Sequence, residues 1–127
     1  MLLFKRSLPT ETGSQAETVA EKYLKKEHLK LIARNFRCQC GEIDLIMRDQ
    51  DAVVFIEVRL RRSSGFASAA ESVTPQKQRR VIKAANFYLQ KNPALSKLPC
   101  RFDVVAIDKI DGVEHINWIQ NAFEADF

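Results

Sequence analysis

The stretch that decides the fold of this chain is residues 41–59, GEIDLIMRDQDAVVFIEVR. It contains two apolar, strand-like runs that are separated by the short polar patch at residues 49–51. Each run carries a carboxylate, Asp44 in the first and Glu57 in the second, where a buried strand normally has another Val or Ile. A charged group among apolar neighbours is costly unless it is paired, hydrogen-bonded or bound to a metal. The two acids therefore suggest a divalent-metal site.

The relative position of the two acids depends on the loop between the strands. If the hairpin closes through an even-numbered loop with Gln50-Asp51 at its tip, Asp44 lies directly opposite Glu57, because side chains alternate between the two faces. An odd loop without a bulge would place them on opposite faces. Facing carboxylates repel each other, and Mg²⁺ or Mn²⁺, which prefer carboxylate ligands and keep several waters, would turn this repulsion into coordination. The alternative is that both acids form ion pairs with arginines, of which the candidates are Arg37, Arg59 and Arg61.

Length and composition indicate a single domain, residues 1–127, that buries about two thirds of its unfolded surface. Hydrophobic residues make up 46% of the sequence and charged residues 28%, which is ordinary for a soluble globular protein. The first residues lack the pattern of a signal peptide, and no apolar run approaches the length of a membrane span. The three cysteines lack the usual zinc spacing. We therefore expect reduced thiols, a cytoplasmic protein and no membrane partner.

The positive charge is concentrated in one part of the chain. Residues 59–83 contain seven basic residues and one acid, a net charge of +6, whereas the whole chain carries +4. A localised basic surface suits a phosphate backbone, because each neutralised phosphate releases counterions. The predicted nucleic-acid contacts are Arg61, Arg62, Lys77, Arg79, Arg80 and Lys83. The alternative is a solvated helix surface on which this charge is incidental.

Apolar periodicity predicts the element order α-β-β-β-α-β-β. A first helix over residues 14–27 has an apolar stripe with Glu17 at its edge. A second helix begins at Thr74-Pro75, where Thr is the N-cap and Pro the first helical residue, and ends near residue 92. The predicted strands are residues 29–37, the two runs within residues 41–59, residues 101–107 and residues 113–119.

A family resemblance is carried by Glu17 and by six short motifs: residues 34–37 (RNFR), 41–46 (GEIDLI), 54–59 (VFIEVR), 71–75 (ESVTP), 101–105 (RFDVV) and 121–123 (NAF). In this order they resemble the YraN-like family of small uncharacterised bacterial proteins. The resemblance implies a restriction-endonuclease-like α/β core, similar to that of archaeal Holliday-junction resolvases. Such a core has a mixed β-sheet flanked by helices, and its usual activity is metal-dependent phosphodiester cleavage.

The resemblance also implies a set of site residues. In this superfamily a helical Glu, a strand Asp and a Glu-x-Lys pair form the active site. These roles fall on Glu17, Asp44, Glu57 and, at the lysine position, Arg59, with Asp44 and Glu57 as the metal ligands. Arg59 departs from the pattern, because Arg keeps the charge but is always protonated and cannot act as a base. It can still stabilise negative charge in the transition state, and Lys77 is a candidate substitute cation.

The resulting prediction is a protein that binds DNA or structured nucleic acid. Our first hypothesis is a Mg²⁺- or Mn²⁺-dependent endonuclease that acts on DNA. The second is a non-catalytic nucleic-acid-binding protein that keeps the scaffold, and the third is a protein-interaction module whose acids only form ion pairs. The Arg at position 59 favours the second hypothesis over the first. A homodimer is compatible with the resemblance, because a Holliday junction is two-fold, although the sequence shows no interface signature.

Overall fold

The computed structural model describes residues 8–61 and 69–125. Its elements, in chain order, are α1 (Leu8–Lys26), β1 (Lys30–Cys38), β2 (Gly41–Asp49), β3 (Ala52–Arg61), a 3₁₀ turn (Ala70–Ser72), α2 (Pro75–Gln90), α3 (Pro93–Ser96), β4 (Cys100–Ile110) and β5 (Val113–Phe123). The predicted order α-β-β-β-α-β-β is confirmed, with α3 as an additional single turn after α2. No helix in these described ranges is long and apolar enough to cross a membrane.

The five strands form one mixed sheet in the order β1-β2-β3-β4-β5. Only the β3–β4 pair is parallel, and the other neighbouring strands of the described sheet are antiparallel. A parallel pair needs a long crossover connection, and α2 lies in the segment that joins β3 to β4. The predicted fold class, a mixed β-sheet flanked by helices, is confirmed.

Each face of the sheet is covered by one of the two long helices. On one face α1 buries Ala16, Ala20 and Leu24 against a cluster that includes Leu45 and Ile56. On the other face α2 contributes its own small apolar residues to a second cluster, whose main members are Val81, Ala84, Ala85, Ile43, Phe55 and Phe102. The predicted apolar stripe of α1 therefore packs on the sheet, and the central strands β2, β3 and β4 are buried between the two helices, whereas the edge strands β1 and β5 are partly exposed.

The regular alternation of β2 breaks at Asp44. Leu45 packs on the α1 side, whereas Ile43 packs on the α2 side, although residues two apart in a regular strand share a face. The facing part of β1 is irregular as well, because Asn35 has a left-handed φ of 50° and lies between the ladder pairs Arg34–Leu45 and Phe36–Ile43. The two neighbouring strands therefore depart from regular geometry at the same place. Asp44 therefore sits at a local twist of the sheet.

The β1–β2 turn is packed tightly against α2 at Gly41. A Cβ added to Gly41 would lie 2.7 Å from the carbonyl oxygen of Arg80 and 3.1 Å from its carbonyl carbon. Both of these are helix backbone atoms, which cannot move without distorting α2.

Gly41→Ala is expected to lower the free energy of unfolding by about 1–3 kcal/mol, the usual cost of overpacking. Urea unfolding monitored by circular dichroism measures this loss. A stability equal to that of the wild type would show that the turn can move away from α2.

Candidate active site

The candidate site forms where β2 and β3 diverge. Their hairpin closes through the two-residue turn at Gln50 and Asp51, because Asp49 pairs with Ala52. This even-numbered loop is the condition under which the sequence places Asp44 opposite Glu57. The backbone ladder ends one position earlier, at Leu45 and Ile56.

Beyond that point the side chain of Asp44, instead of the β2 backbone, accepts a hydrogen bond from β3. Its Oδ2 accepts a hydrogen bond of 2.8 Å from the backbone N–H of Val58. Asp44 is therefore fixed between the separating strands, with its carboxyl next to that of Glu57.

Three acids from three elements meet at this point, namely Glu17 of α1, Asp44 of β2 and Glu57 of β3. Burial and the neighbouring Asp44 carboxylate raise the pKa of Glu57 to about 8. The same two causes, burial first, raise the pKa of Glu17 to about 7. Burial also raises the pKa of Asp44, although hydrogen bonds from Val58 and from Glu57 oppose this shift. Asp44 and Glu57 therefore titrate as one coupled pair, in which burial and mutual repulsion favour holding a proton at the two carboxyls.

Lys77 places its ammonium group beside this pair of acids. It lies in the first turn of α2, where its backbone N–H donates to the N-cap Thr74 at 3.2 Å. Its Nζ lies 3.5 Å from Oε2 of Glu57, and its charge lowers the pKa of Asp44 as well as that of Glu57. The sequence proposed Lys77 as a substitute cation, and the packing of α2 on the sheet places it at the acids.

Within residues 8–61 and 69–125, two buried polar atoms at the site have no hydrogen-bond partner, namely Oε1 of Glu57 and Nε of Arg59. Buried polar atoms are nearly always satisfied, so each exception calls for an explanation. An unpaired carboxylate oxygen beside a second carboxyl is a suitable ligand for a hard cation, and an unpaired guanidinium nitrogen is a suitable donor to a phosphate. The two atoms thus fit a site that is completed by a cation and an anionic substrate.

The acids do not form a closed metal cage. Within residues 8–61 and 69–125, no three His, Cys, Asp or Glu side chains are arranged to hold a metal ion. Mg²⁺ usually takes only one or two carboxylates and completes its shell with waters and substrate phosphates. Asp44 and Glu57 therefore fit Mg²⁺ or Mn²⁺ as an open site, but not a structural metal.

The predicted nucleic-acid contacts fall into different environments. Arg59, Lys77 and Arg80 border a pocket of about 270 Å³ beside the acids, together with Ser72, Thr74 and Gln76. Arg79 and Lys83 are exposed on α2. Arg61 forms a salt bridge with the buried Asp108 through two hydrogen bonds, at 2.7 and 2.9 Å. The carboxylate offsets the positive charge that Arg61 could otherwise offer to a phosphate. Arg62 lies outside the described residues.

The position of Glu17 depends on an ion pair that the sequence did not reveal. One turn further along α1, Glu21 accepts two hydrogen bonds from Arg34 of β1, at 2.6 and 2.9 Å. Lys25 also pairs with Glu21 at 2.7 Å. Arg34, and then Lys25, outweigh the effect of burial and lower the pKa of Glu21 to about 2. This ion pair ties α1 to β1 and holds Glu17 over the twist in the sheet.

Asn35 is a second site residue that sequence reasoning did not single out. Its side chain forms a hydrogen bond with Glu17, which opposes the rise in the pKa of that acid. Asn is one of the few residues that tolerate the left-handed conformation found here. The Arg34-Asn35 dipeptide, in a strand of mixed apolar and basic residues, was the feature of the sequence that could have indicated it.

Asp103 lies away from the site and has a structural role. Its carboxylate accepts hydrogen bonds from Arg101 at 3.1 and 3.2 Å, from Trp118 at 3.0 Å and from the backbone of Asn121 at 3.0 Å. Arg101 in turn reaches Asp49 at 2.9 Å. The network joins β4 to β5 and to the hairpin, and it explains why a fully buried acid is tolerated there.

Comparison with known proteins places the chain in a family. The model for "Uncharacterised protein family UPF0102" matches residues 16–107. A UPF0102 protein of Saccharophagus degradans is 53% identical over 113 residues, which cover 89% of this chain and 92% of the relative. A UPF0102 protein of Coxiella burnetii is 50% identical and covers 95% and 98%, and one of Pseudomonas putida is 48% identical and covers 91% and 95%. The chain belongs to the uncharacterised protein family UPF0102, the YraN-like family that its motifs resemble.

Proposed function

We propose that this protein binds DNA, or another structured nucleic acid, and cleaves DNA as a Mg²⁺- or Mn²⁺-dependent endonuclease. The observation that carries the proposal is the environment of Glu57. Its carboxyl is buried, is coupled to that of Asp44, lies 3.5 Å from the ammonium group of Lys77 and has one oxygen without a hydrogen-bond partner among the described residues. Strongly perturbed acids with specific charge partners are typical of catalytic sites.

Asp44 and Glu57 would hold the cation. When bound, a divalent cation stabilises charge on the phosphoryl oxygens and makes water more acidic. Binding also requires the proton that Glu57 and Asp44 share to leave, because metal ligands must be deprotonated. Once both carboxyls are ionised they repel each other, and the cation would offset this repulsion.

The remaining site residues have separate tasks in this proposal. Lys77 and Arg59 stabilise the negative charge that builds up on the phosphate in the transition state. Glu17, with a pKa of about 7, is suited to accept or deliver a proton near neutral pH, where general acid–base catalysis is most effective. Arg59 keeps only an electrostatic role, because its guanidinium group does not lose its proton.

The basic residues of α2 supply the binding surface. Arg80 lies at the mouth of the site, and Arg79 and Lys83 are exposed beside it. Such residues contact phosphates and position the duplex without reading its sequence. Arg61 contributes less than the sequence suggests, because Asp108 neutralises it. The contact by Arg62, the homodimer and the cytoplasmic location stay predictions.

A second candidate function is nucleic-acid binding without cleavage. It is favoured by one observation, the Arg at position 59 where the superfamily pattern has Lys. In that case Lys77 would serve only to neutralise Glu57, and the cation would not be needed.

Titration of Mn²⁺ into the protein, followed by cleavage assays on nicked and branched DNA, separates the two functions. We expect the wild type to bind Mn²⁺ with release of about one proton at neutral pH, and to cleave. Asp44→Asn should lose both properties but bind duplex DNA with an unchanged salt dependence. Asp51→Asn, which alters an exposed acid at the tip of the same hairpin, is the matched control.

The proposal fails if the wild type binds no Mn²⁺ at concentrations of about 10 mM, far above the usual range for such sites, and cleaves none of these substrates. Duplex binding that persists in that case would establish the non-catalytic function instead.

A further inference from the structure

A second cluster of reactive side chains lies at the β1–β2 turn, outside the candidate active site. Cys38 ends β1 and Cys40 lies in the turn that follows. Their Sγ atoms are 2.6 Å apart, and both thiols are free and half-buried. Cys100 is separate from them, because it lines a different pocket with Arg101 and Phe102.

The two thiols open into a pocket of about 400 Å³ with a positive rim. Arg37, Lys77 and Arg80 line this pocket, and Glu42 is the acid that faces them. Such surroundings favour thiolates, and accessible thiolates are the reactive form of cysteine.

The two thiols also differ in acidity. Burial opposes ionisation of Cys38, but hydrogen bonds from Cys40 and from the backbone prevail and lower its pKa. The pKa of Cys40 is raised, first because its proton is shared with Cys38 and then by burial. A thiolate in contact with a thiol, at 2.6 Å, is the arrangement that attack and resolution require, and the directions of the two shifts assign the attack to Cys38 and the resolution to Cys40.

The geometry favours a bond between the two sulfurs. They are already in contact, so closing a disulfide bond of about 2 Å needs only a small movement. The turn is held in place, because Gly41 lies directly against the backbone of Arg80. A metal is a weaker explanation, since among the described residues no third His, Cys, Asp or Glu completes a chelating group with these thiols.

We propose that Cys38 and Cys40 form a redox-active dithiol that reacts with low-molecular-weight disulfides. The Cys38 thiolate attacks one sulfur of the small disulfide, forms a mixed disulfide and expels the first small thiolate. Cys40 then attacks Sγ of Cys38, which forms the intramolecular disulfide and expels the second. The protons of the two protein thiols pass to the two leaving thiolates, so the dithiol loses two electrons and the small disulfide gains them. Such reversible pairs are the usual disulfides of reducing compartments.

Equilibration of the full chain in mixtures of reduced and oxidised glutathione tests the proposal. Samples are quenched with N-ethylmaleimide and read by intact mass and peptide mapping. In the wild type we expect Cys38 and Cys40 to lose their reactivity with N-ethylmaleimide together, without a retained glutathione, while Cys100 remains labelled. In Cys40→Ser the reaction should stop at a glutathione adduct on Cys38. In Cys38→Ser the reaction should likewise stop at a glutathione adduct, on Cys40, because no second thiol remains to displace it.

Cys100→Ser is the matched control, and the disulfide between Cys38 and Cys40 should form in it as in the wild type. Two results would overturn the proposal. One is a stable glutathione adduct on wild-type Cys38 with Cys40 still reduced. The other is a rate of reaction at Cys38 that does not exceed the rate at Cys100. Neither result depends on the nuclease function, because no nucleic acid or metal is present.

Discussion

Replacing Glu57 by Gln is expected to stabilise the metal-free protein in mild alkali. It should leave the stability nearly unchanged at about pH 3.5, below the pKa of the unfolded state, where the carboxyl is neutral in both states. The pKa of Glu57 is raised from 4.5 to about 8, by burial first and then by Asp44. Between these two values the folded protein holds a proton that the unfolded chain has lost. The free energy of unfolding of the wild type therefore falls as the pH rises through this window, and Gln removes that loss.

The gain at about pH 9 should be on the order of a few kcal/mol, because one pKa unit corresponds to about 1.4 kcal/mol. The amide of Gln can also keep the hydrogen bond that protonated Glu57 donates to Asp44. Urea unfolding in the presence of a chelator, at several pH values, measures the effect. Glu114→Gln, which changes an exposed acid on β5, is the control and should shift neither end of the profile. If the free energy of unfolding depends on pH in the same way in the wild type and in Glu57→Gln, the pKa of Glu57 is not raised in the folded protein.

The core of the site could be predicted because it depends on local rules. Alternation along β3 and a two-residue turn between β2 and β3 are enough to bring Asp44 opposite Glu57, and both can be read from apolar runs and a polar patch. The start of α2 was equally accessible, since Thr74 caps the helix and Pro75 begins it. In each case the deciding interaction joins residues that are close in sequence or in the same hairpin.

The parts that escaped prediction depend on contacts between distant segments. The register of the parallel β3–β4 pair places Arg61 beside Asp108, and nothing in either segment reveals that register. The ion pair between Glu21 and Arg34 likewise follows from the docking of α1 on β1. Raised pKa values belong to the same class, because they depend on burial by residues that the motif does not contain.

The left-handed φ of Asn35 is a different case. The residue type was compatible with it, but an Asn in a strand of mixed character is more often just polar. Only the packing of Ile43 and Leu45 on opposite faces reveals the twist. The twist matters for the candidate site, because it brings an acid on the sheet within reach of Glu17 on α1.

Loss of the charge of Lys77 is expected to have the largest effect on catalysis. Under the proposed function, Lys77→Gln should lower the rate of Mn²⁺-dependent cleavage by about 100-fold or more, the usual effect of removing a group that stabilises transition-state charge. The affinity for duplex DNA should change by only a few fold, because one phosphate contact among several is lost. The large expected effect on the rate follows from the position of Lys77, because its Nζ lies 3.5 Å from Oε2 of Glu57.

Two further variants show how Lys77 acts. Lys77→Arg keeps the charge without a titratable amine, so retained activity would assign an electrostatic role and lost activity a role in proton transfer. Lys91→Gln removes the same charge at the opposite end of α2 and should cleave like the wild type. A rate for Lys77→Gln equal to that of Lys91→Gln would exclude Lys77 from the chemistry.

Arg59 gives the decisive comparison, because two cations at one site raise the question of which one replaces the lysine of the superfamily pattern. If Lys77 has taken over that role, Arg59→Lys alone should change the cleavage rate little. In the Lys77→Gln background, however, Arg59→Lys should restore at least about tenfold of the lost rate, because a compact ammonium group returns on β3, two residues from Glu57. Additive effects in the double variant would mean that the two residues act on different parts of the substrate. A large gain from Arg59→Lys in the wild-type background would instead show that the Arg limits the enzyme, and that Lys77 serves mainly to neutralise Glu57.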